Sequence, residues 1–185
     1  MKVKDVIISA LKILGRGEVA AALSEGGTLT DEESETVDTM LYCFNAAEDE
    51  VARKYMPLFF KEELEASDGE YFYESFMHAP VKINRVTAYG KEIDFELFPF
   101  YMVAGSDKIT VEYQYAPAKK KLENSSDFGA EVSEYLLALG AASEYCLING
   151  ETEAAQLFEK KYRREIDSAQ GKLPSCKDIP PRRWI

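Results

Sequence analysis

Two apolar stripes at helical spacing, separated by one short break, limit what this chain can fold into more than any other feature. The first stripe consists of Val132, Leu136, Leu139, Ala142 and Cys146, and the second of Ala155, Phe158, Tyr162, Ile166 and Ala169. Asp127 is expected to be the N-cap of the first helix, because its short side-chain acceptor binds free backbone amides. Asn149 and Gly150 end that helix, since both tolerate the left-handed conformation. So short a connection makes the helices antiparallel neighbours, and residues 126–169 are therefore predicted to form a helical hairpin that supplies half of the core.

Three further helical segments precede this hairpin. Residues 3–14 have an amphipathic pattern that ends at glycines, and a short helical turn is expected around residues 18–23. Thr30 and Glu33 match a capping box, in which each side chain accepts a hydrogen bond from the other residue's backbone amide. The long helix that they open is predicted to end near Tyr55, because a proline follows two residues later.

Between these helical regions the pattern changes to a period of two. Residues 81–86 predict a strand with one irregular step, residues 93–97 a half-buried strand, and residues 109–115 the most regular strand of the chain. The predicted class is therefore α+β: a mainly helical bundle with an inserted small antiparallel sheet and an extended arm. Residues 1–170 are predicted to form a single domain, in which helices 3–55 and 127–169 pack together and residues 58–117 form a β-rich insertion. An extended tail is predicted at 171–185.

No apolar run approaches the roughly 20 residues of a membrane span. The basic and apolar start of the chain is interrupted by Asp5 and Lys12, and no small-residue cleavage site follows it. An amphipathic helix is therefore predicted there instead of a secretion signal. No membrane partner is expected.

The charge is large and unevenly distributed. The net charge is −11, and residues 171–185 carry +3 of it, so the first 170 residues carry −14. A chain this acidic is poorly suited to holding nucleic acid by its phosphates, because that affinity comes mainly from Lys and Arg. The basic tail ends in Arg182, Arg183, Trp184 and Ile185. Trp and Arg are enriched where proteins anchor one another, so this tail predicts either docking on an acidic surface or folding back on its own body.

The residue patterns that would signal catalysis are weak. His78 is the only histidine, and it lies before Ala79-Pro80 in a segment with turn character. Cys43, Cys146 and Cys176 lack metal-ligand spacing and are interpreted as free thiols, the first two buried. No glycine-rich phosphate loop or calcium loop is present, and no cofactor is predicted.

Three other groups of residues have ordinary structural interpretations. Acidic side chains of the long helix are interpreted as solvent-exposed surface: Glu32, Glu33, Glu35 and Glu48. Lys119, Lys120 and Lys121 are interpreted as a solvated linker, with phosphate contact as the alternative. The strand aromatics are interpreted as core or cross-strand pairs, with base stacking as the alternative: Tyr71, Tyr73, Phe76, Tyr113 and Tyr115.

A set of short matches distributed along the chain suggests a family. They are Asn45-Ala46-Ala47 and Glu50-Val51-Ala52 in the long helix, Ile109-Thr110-Val111-Glu112-Tyr113-Gln114-Tyr115-Ala116-Pro117, Asp127, Glu144-Tyr145, Ala154-Ala155, and Pro180-Pro181-Arg182-Arg183-Trp184-Ile185. With them the chain resembles the head–tail connector proteins (adaptors, or head-completion proteins) of tailed bacteriophages and prophages. The similarity covers most of the chain and is strongest from 109 to 169.

The resemblance implies a structural and non-enzymatic role at the virion head–tail junction, for a protein made in the bacterial cytoplasm. It implies a ring of about twelve copies below the portal protein, which extends the DNA channel and docks a tail or stopper protein. DNA would pass along an acidic wall without specific binding. Arg182, Arg183, Trp184 and Ile185 are the hypothetical anchor to the portal or to a neighbouring copy.

The residues are also compatible with two other functional classes. One is a host-encoded helical protein-binding module, which the same amphipathic helices would suit. The other is a small hydrolase that uses His78 together with carboxylates.

Overall fold

A computed structural model describes residues 1–66 and 68–172, and within them it has an α+β fold, as the sequence predicts. The helices are α1 (Val3–Ile13), α2 (Gly17–Glu25), α3 (Asp31–Glu50), α4 (Glu134–Ile148) and α5 (Thr152–Lys172), and α3 continues into a π-helical turn at Val51–Tyr55. The strands are β1 (Leu58–Glu65), β2 (Glu70–Phe72), β3 (Pro80–Ala88), β4 (Lys91–Glu92), β5 (Phe95–Leu97), β6 (Tyr101–Ala104) and β7 (Lys108–Tyr115), with a 3₁₀ turn at Tyr73–Ser75 after β2.

Helix α4 lies at the centre of the helical bundle, with α1, α3 and α5 packed around it. Its residues from Leu136 to Ser143 are all buried, so the single apolar stripe predicted from the sequence underestimated its burial. Gly140 is the point of closest approach, because a Cβ added there would lie 2.9 Å from Ala47 in α3 and 2.9 Å from Tyr162 in α5. The predicted hairpin is confirmed, and Gly150 adopts the left-handed conformation (φ 76°) that ends its first helix.

The predicted N-cap of α4 is wrong. The helix begins at Glu134, and Ser133 is its N-cap, with the hydroxyl accepting a hydrogen bond from the Leu136 amide at 3.1 Å. Asp127 instead accepts a hydrogen bond from Lys120 Nζ at 2.5 Å. A capping-type residue is thus used for a tertiary contact, and the N-cap of the helix lies six residues later, at Ser133.

The capping box at the start of α3 is confirmed. The Thr30 hydroxyl accepts a hydrogen bond from the Glu33 amide, and the Glu33 carboxylate accepts one from the Thr30 amide. Folding lowers the pKa of Glu33 through its hydrogen bonds with Thr30. The long helix ends at Tyr55 after its π-helical turn, as predicted.

The single small sheet predicted for the insertion is in fact two antiparallel sheets. A four-stranded sheet has the order β1-β7-β3-β4, and a three-stranded sheet has the order β2-β6-β5. Segment 58–65, whose mixed pattern predicts no particular element, is an eight-residue strand paired along its whole length with β7. Strand β3 has the irregular register predicted from its sequence, with shifts near Lys82 and Arg85. The strand predicted at 93–97 is shorter, since only Phe95–Leu97 pairs with β6.

One connected set of buried side chains extends from the helical bundle into both sheets. Strand β7 supplies Ile109, Val111, Tyr113 and Tyr115 to it on alternate positions, as its sequence pattern predicts. The sheets therefore have one face on this core and leave the other face exposed to a partner or to solvent.

Candidate interaction surfaces

The hypothetical anchor lies outside the described residues. Arg182, Arg183, Trp184 and Ile185 follow helix α5, whose last described residue is Lys172. One residue of that helix's last turn, Gln170, donates a side-chain hydrogen bond to the Tyr55 carbonyl oxygen at 3.0 Å. Helix α5 therefore ends at the end of the bundle at which the chain passes from α3 into β1.

His78 packs as an aromatic side chain on the four-stranded sheet. Its ring is stacked on Tyr115, with centroids 4.2 Å apart, and meets the Phe60 ring edge-on at 4.7 Å. The nearby carboxylate, Glu62, is engaged by the Tyr113 hydroxyl at 2.5 Å and by the Met77 amide at 3.1 Å. This arrangement explains the position of His78 by packing, and Glu62 is occupied with structural hydrogen bonds.

The strand aromatics interpreted as core are mostly buried. Tyr71, Phe76, Tyr113 and Tyr115 are all less than a tenth exposed. The Tyr71 hydroxyl donates a hydrogen bond to the Ser106 carbonyl oxygen at 2.6 Å. Burial and the hydrogen bond to Glu62 raise the pKa of Tyr113 well above its usual range. These rings are not accessible for stacking on bases.

A buried polar cluster attaches segment 118–127 to helix α3. The Asn45 side chain accepts a hydrogen bond from the Lys120 amide at 2.6 Å and donates one to the Lys120 carbonyl oxygen at 3.1 Å. The interpretation of Glu48 as helix surface is wrong, because this residue is only 1% exposed and accepts a hydrogen bond from the Asp127 amide at 3.1 Å. Burial raises the pKa of Glu48, while hydrogen bonds with Ser126 and the Asp127 amide oppose the rise.

The three consecutive lysines at 119–121 differ in their exposure to solvent. Lys119 and Lys121 are exposed, as predicted for a solvated linker, whereas the Lys120 side chain is only 11% exposed and its ammonium pairs with Asp127. The interpretation as a solvated linker is therefore wrong for Lys120. Only the two flanking lysines present their charge to solvent.

Helix α3 presents an acidic face. The helix contains eight Asp and Glu residues and no basic residue. Asp31, Glu32, Glu35 and Asp38 are exposed along its first half. Charges of one sign on one helix face create a local negative potential, which repels polyanions and attracts cations.

The outer face of the three-stranded sheet carries an exposed aromatic row, defined here as Phe72, Tyr101 and Phe98. The Tyr101 ring lies 5.6 Å from that of Phe72 and is stacked on that of Phe98 at 4.9 Å. Phe72 is 53% exposed, and the neighbouring Phe100 is 77% exposed. Side chains of this size are rarely left exposed in a contiguous group unless they bind a partner.

Sequence reasoning did not identify this aromatic row. A signal was present in Phe98-Pro99-Phe100-Tyr101, where aromatic residues surround a proline at a position that normally favours polar turn residues. The sequence does not predict strand β6, because its four residues lie between the turn at Pro99 and the turn at Gly105.

Two of the three cysteines and most of the possible metal ligands lie within the part of the chain that the structure describes. Cys43 and Cys146 are buried free thiols, as predicted, and burial raises the pKa of Cys43 to about 12 and that of Cys146 to about 11. The third cysteine, Cys176, lies outside the described residues. Among residues 1–66 and 68–172, no three His, Cys, Asp or Glu side chains are placed to share a metal ion. None of the helices described there is both long and apolar enough to cross a bilayer.

The sequence matches no known protein-family model, and no curated protein matches it either.

Proposed function

We propose that this chain is a structural subunit of a tailed-bacteriophage head–tail connector. In this role about twelve copies form a ring below the portal protein, extend the DNA channel and dock a tail or stopper protein. The subunit is made in the bacterial cytoplasm and acts at the head–tail junction of the virion. It binds and positions partners, and it performs no catalytic step.

The acidic face of α3 is the observation that carries this proposal. Helix α3 contains eight Asp and Glu residues and no basic residue, and its exposed carboxylates make a surface that does not bind a phosphate backbone. Such a surface suits the wall of a channel through which DNA must slide without sticking. We assign the exposed residues Asp31, Glu32, Glu35 and Asp38 to that wall.

The basic tail complements this acidic body. Arg182, Arg183, Trp184 and Ile185 combine fixed positive charge with a large apolar side chain, the combination that anchors many protein interfaces. An extended segment of this kind gives a ring subunit a means of attachment beyond its own folded surface.

Deletion of residues 173–185 tests the proposal. The truncated chain keeps all five described helices and is expected to unfold cooperatively at nearly the native temperature, as measured by circular dichroism. It is expected to lose co-sedimentation with purified portal rings, because the anchor is gone. Retained attachment to the portal at native affinity would contradict the proposed role of the tail.

A His78→Ala variant is the matched control and also tests the alternative of a hydrolase. A connector whose histidine only packs between Phe60 and Tyr115 is expected to support phage assembly with this change, after a modest loss of stability. Loss of assembly by a folded His78→Ala chain would favour the alternative. Genes for portal and capsid proteins beside the coding gene would argue against a host-encoded binding module.

A further inference from the structure

The outer face of the three-stranded sheet consists of two rows that cross all three strands. The first is the aromatic row of Phe72, Tyr101 and Phe98, and the second is an acidic row of Glu70, Val103 and Glu96. Glu70 and Glu96 flank Val103 in register, and both are exposed. Neither forms an ion pair with another residue of the described chain. A continuous aromatic surface therefore lies beside two uncompensated negative charges.

A face of this kind fits an extended basic peptide that also carries aromatic or proline side chains. Aromatic rings pack against proline rings and indoles and attract guanidinium groups, and carboxylates bind guanidinium through paired hydrogen bonds. Alternate residues of an extended chain point to the same side and are about 7 Å apart. The two rows have the same separation, because Tyr101 and Val103 are two positions apart on strand β6.

Residues 180–185, Pro-Pro-Arg-Arg-Trp-Ile, have this chemistry and this spacing. Arg182 and Trp184 are two positions apart, so in an extended segment both side chains reach the same surface. We propose that residues 180–185 of one copy bind the outer face of the three-stranded sheet of a second copy. Trp184 covers the aromatic row, and the Arg182 guanidinium lies between Glu70 and Glu96.

The proposed ring favours a second copy over the same chain. Arg182 and Trp184 lie 10 and 12 residues beyond Lys172 and extend at most about 36 and 43 Å from the end of α5. Helix α5 ends beside Tyr55, and the eight residues of β1 lead about 26 Å away from there toward the turn before β2. Binding to the same chain's sheet would therefore use most of that reach, whereas in the proposed ring, on which this inference rests, neighbouring copies bring one copy's tail beside another copy's sheet.

Trp184 is the only tryptophan of the chain, so its fluorescence reports on the tail alone. The test uses two full-length variants mixed at up to roughly millimolar concentration, where contacts of this size are populated. Phe72→Ser/Tyr101→Ser removes the face but keeps Trp184, and Trp184→Ala removes the tryptophan but keeps the face. Neither variant alone is expected to show a blue-shifted emission, whereas their mixture is expected to show it, because the tail of the first binds the face of the second.

A matched control separates the proposed face from exposed aromatics in general. Phe59→Ser changes a phenylalanine that is 57% exposed on the other sheet, and this variant is expected to keep the native, concentration-dependent blue shift by itself. No shift in the mixture, or a native shift that does not depend on concentration, would overturn the inference. If the tail is still required for portal attachment in that case, the connector proposal survives and the tail binds the portal directly.

Discussion

Glu48 is a carboxylate enclosed by helix α3 and segment 118–127, and its charge is compensated by a small number of groups. Its Oε1 atom accepts the Asp127 amide hydrogen bond, and Lys120 lies close enough to favour the ionised form. Burial outweighs these contributions and raises the pKa. At neutral pH the ionised carboxylate therefore costs the folded state free energy, which the polar contacts of segment 118–127 offset in part.

A Glu48→Gln substitution removes this cost, so the stability of the variant relative to the native chain depends on pH. A carboxyl whose pKa is raised above its ordinary value of 4.5 contributes most to stability below that pH, and the contribution is lost as the pH rises through the folded-state pKa. The neutral amide has no such loss. The free energy of unfolding of the variant, relative to native, should therefore increase with pH by about 1.4 kcal/mol per unit of pKa shift and then level off. Urea unfolding between about pH 4 and 8 measures this difference.

Glu32→Gln, on the exposed face of the same helix, controls for the loss of one negative charge. The Glu48→Gln prediction is wrong if its stability difference from the native chain is the same at every pH.

The burial of Glu48 was not predictable from its residue type. Position 48 is four residues after the buried Phe44 and three before the buried Val51, so helical spacing does place it on the inner face. A glutamate is normally assigned to the surface, because an unpaired buried charge is costly. Its compensating partners come from residues 120–127, and their approach depends on the tertiary fold.

At the scale of elements, the spacing of the bundle is set by small residues on α4. Ala138, Gly140, Ala141 and Ala142 are enclosed, and Gly140 leaves no room for a further methyl group between α3 and α5. Close approach of this kind buries the Tyr162 ring against the central helix. The distance of α4 from α3 and from α5 therefore depends on the absence of a side chain at Gly140.

Gly140→Ala is expected to destabilise the protein, although alanine normally favours a helix by about 1 kcal/mol. The added Cβ would lie 2.9 Å from both Ala47 Cβ and Tyr162 Cε2, so one neighbouring helix must move. A net loss of about 1–3 kcal/mol follows from such overpacking. Thermal unfolding monitored by circular dichroism measures it.

Gly171→Ala is the matched control, because an added Cβ there has no neighbour within 4 Å. It should leave stability unchanged or raise it by up to about 1 kcal/mol. Equal effects of the two substitutions would show that close packing at Gly140 does not determine the helix spacing.

Elements with their own local signals were predictable, and elements defined by their partners were not. The capping box of α3, the alternation of β7 and the glycine that ends α4 each determine the local backbone, and all three are confirmed. Strand β1 carries Lys61, Glu62, Glu63 and Glu65 within eight residues, so its pattern resembles neither half-buried strand nor helix. It is a strand because β7 pairs with it along its length. The start of α4 was misplaced because Asp127 suits an N-cap as well as it suits an ion pair.

At the scale of the whole molecule, charge is separated along the chain. The acidic face of α3 belongs to the folded body, whereas the last 15 residues carry +3. This separation was visible in the sequence, because a charge count needs no structure. The aromatic row of the three-stranded sheet was not visible, because Phe72 and Tyr101 become neighbours only when β2 pairs with β6.

A charge reversal on α3 tests the proposed channel wall at this scale. Replacing Glu32, Glu35 and Asp38 with lysine gives that helix face three positive charges, which bind passing DNA through its phosphates. Phage particles assembled with this variant are expected to release their genome more slowly, with the delay decreasing as salt is raised, in a fluorescence assay of DNA ejection. Lysines at Glu131, Glu153 and Asp167, which are also exposed, change the net charge equally and should leave the rate unchanged. Identical kinetics for both triple variants would exclude the α3 face from the channel.

The pairing of Leu58 with Tyr115 at the base of the β region has a consequence for how such chains diversify. Partners in an antiparallel ladder have Cα atoms about 5 Å apart, so the polypeptide exits the helices and rejoins them through a single narrow neck. Residues added at a turn of the β region therefore do not change the distance between the end of α3 and the segment that leads to α4. In the proposed connector, the turns of the β region are therefore the places at which a different docking partner can be accommodated, while the helical bundle continues to form the ring.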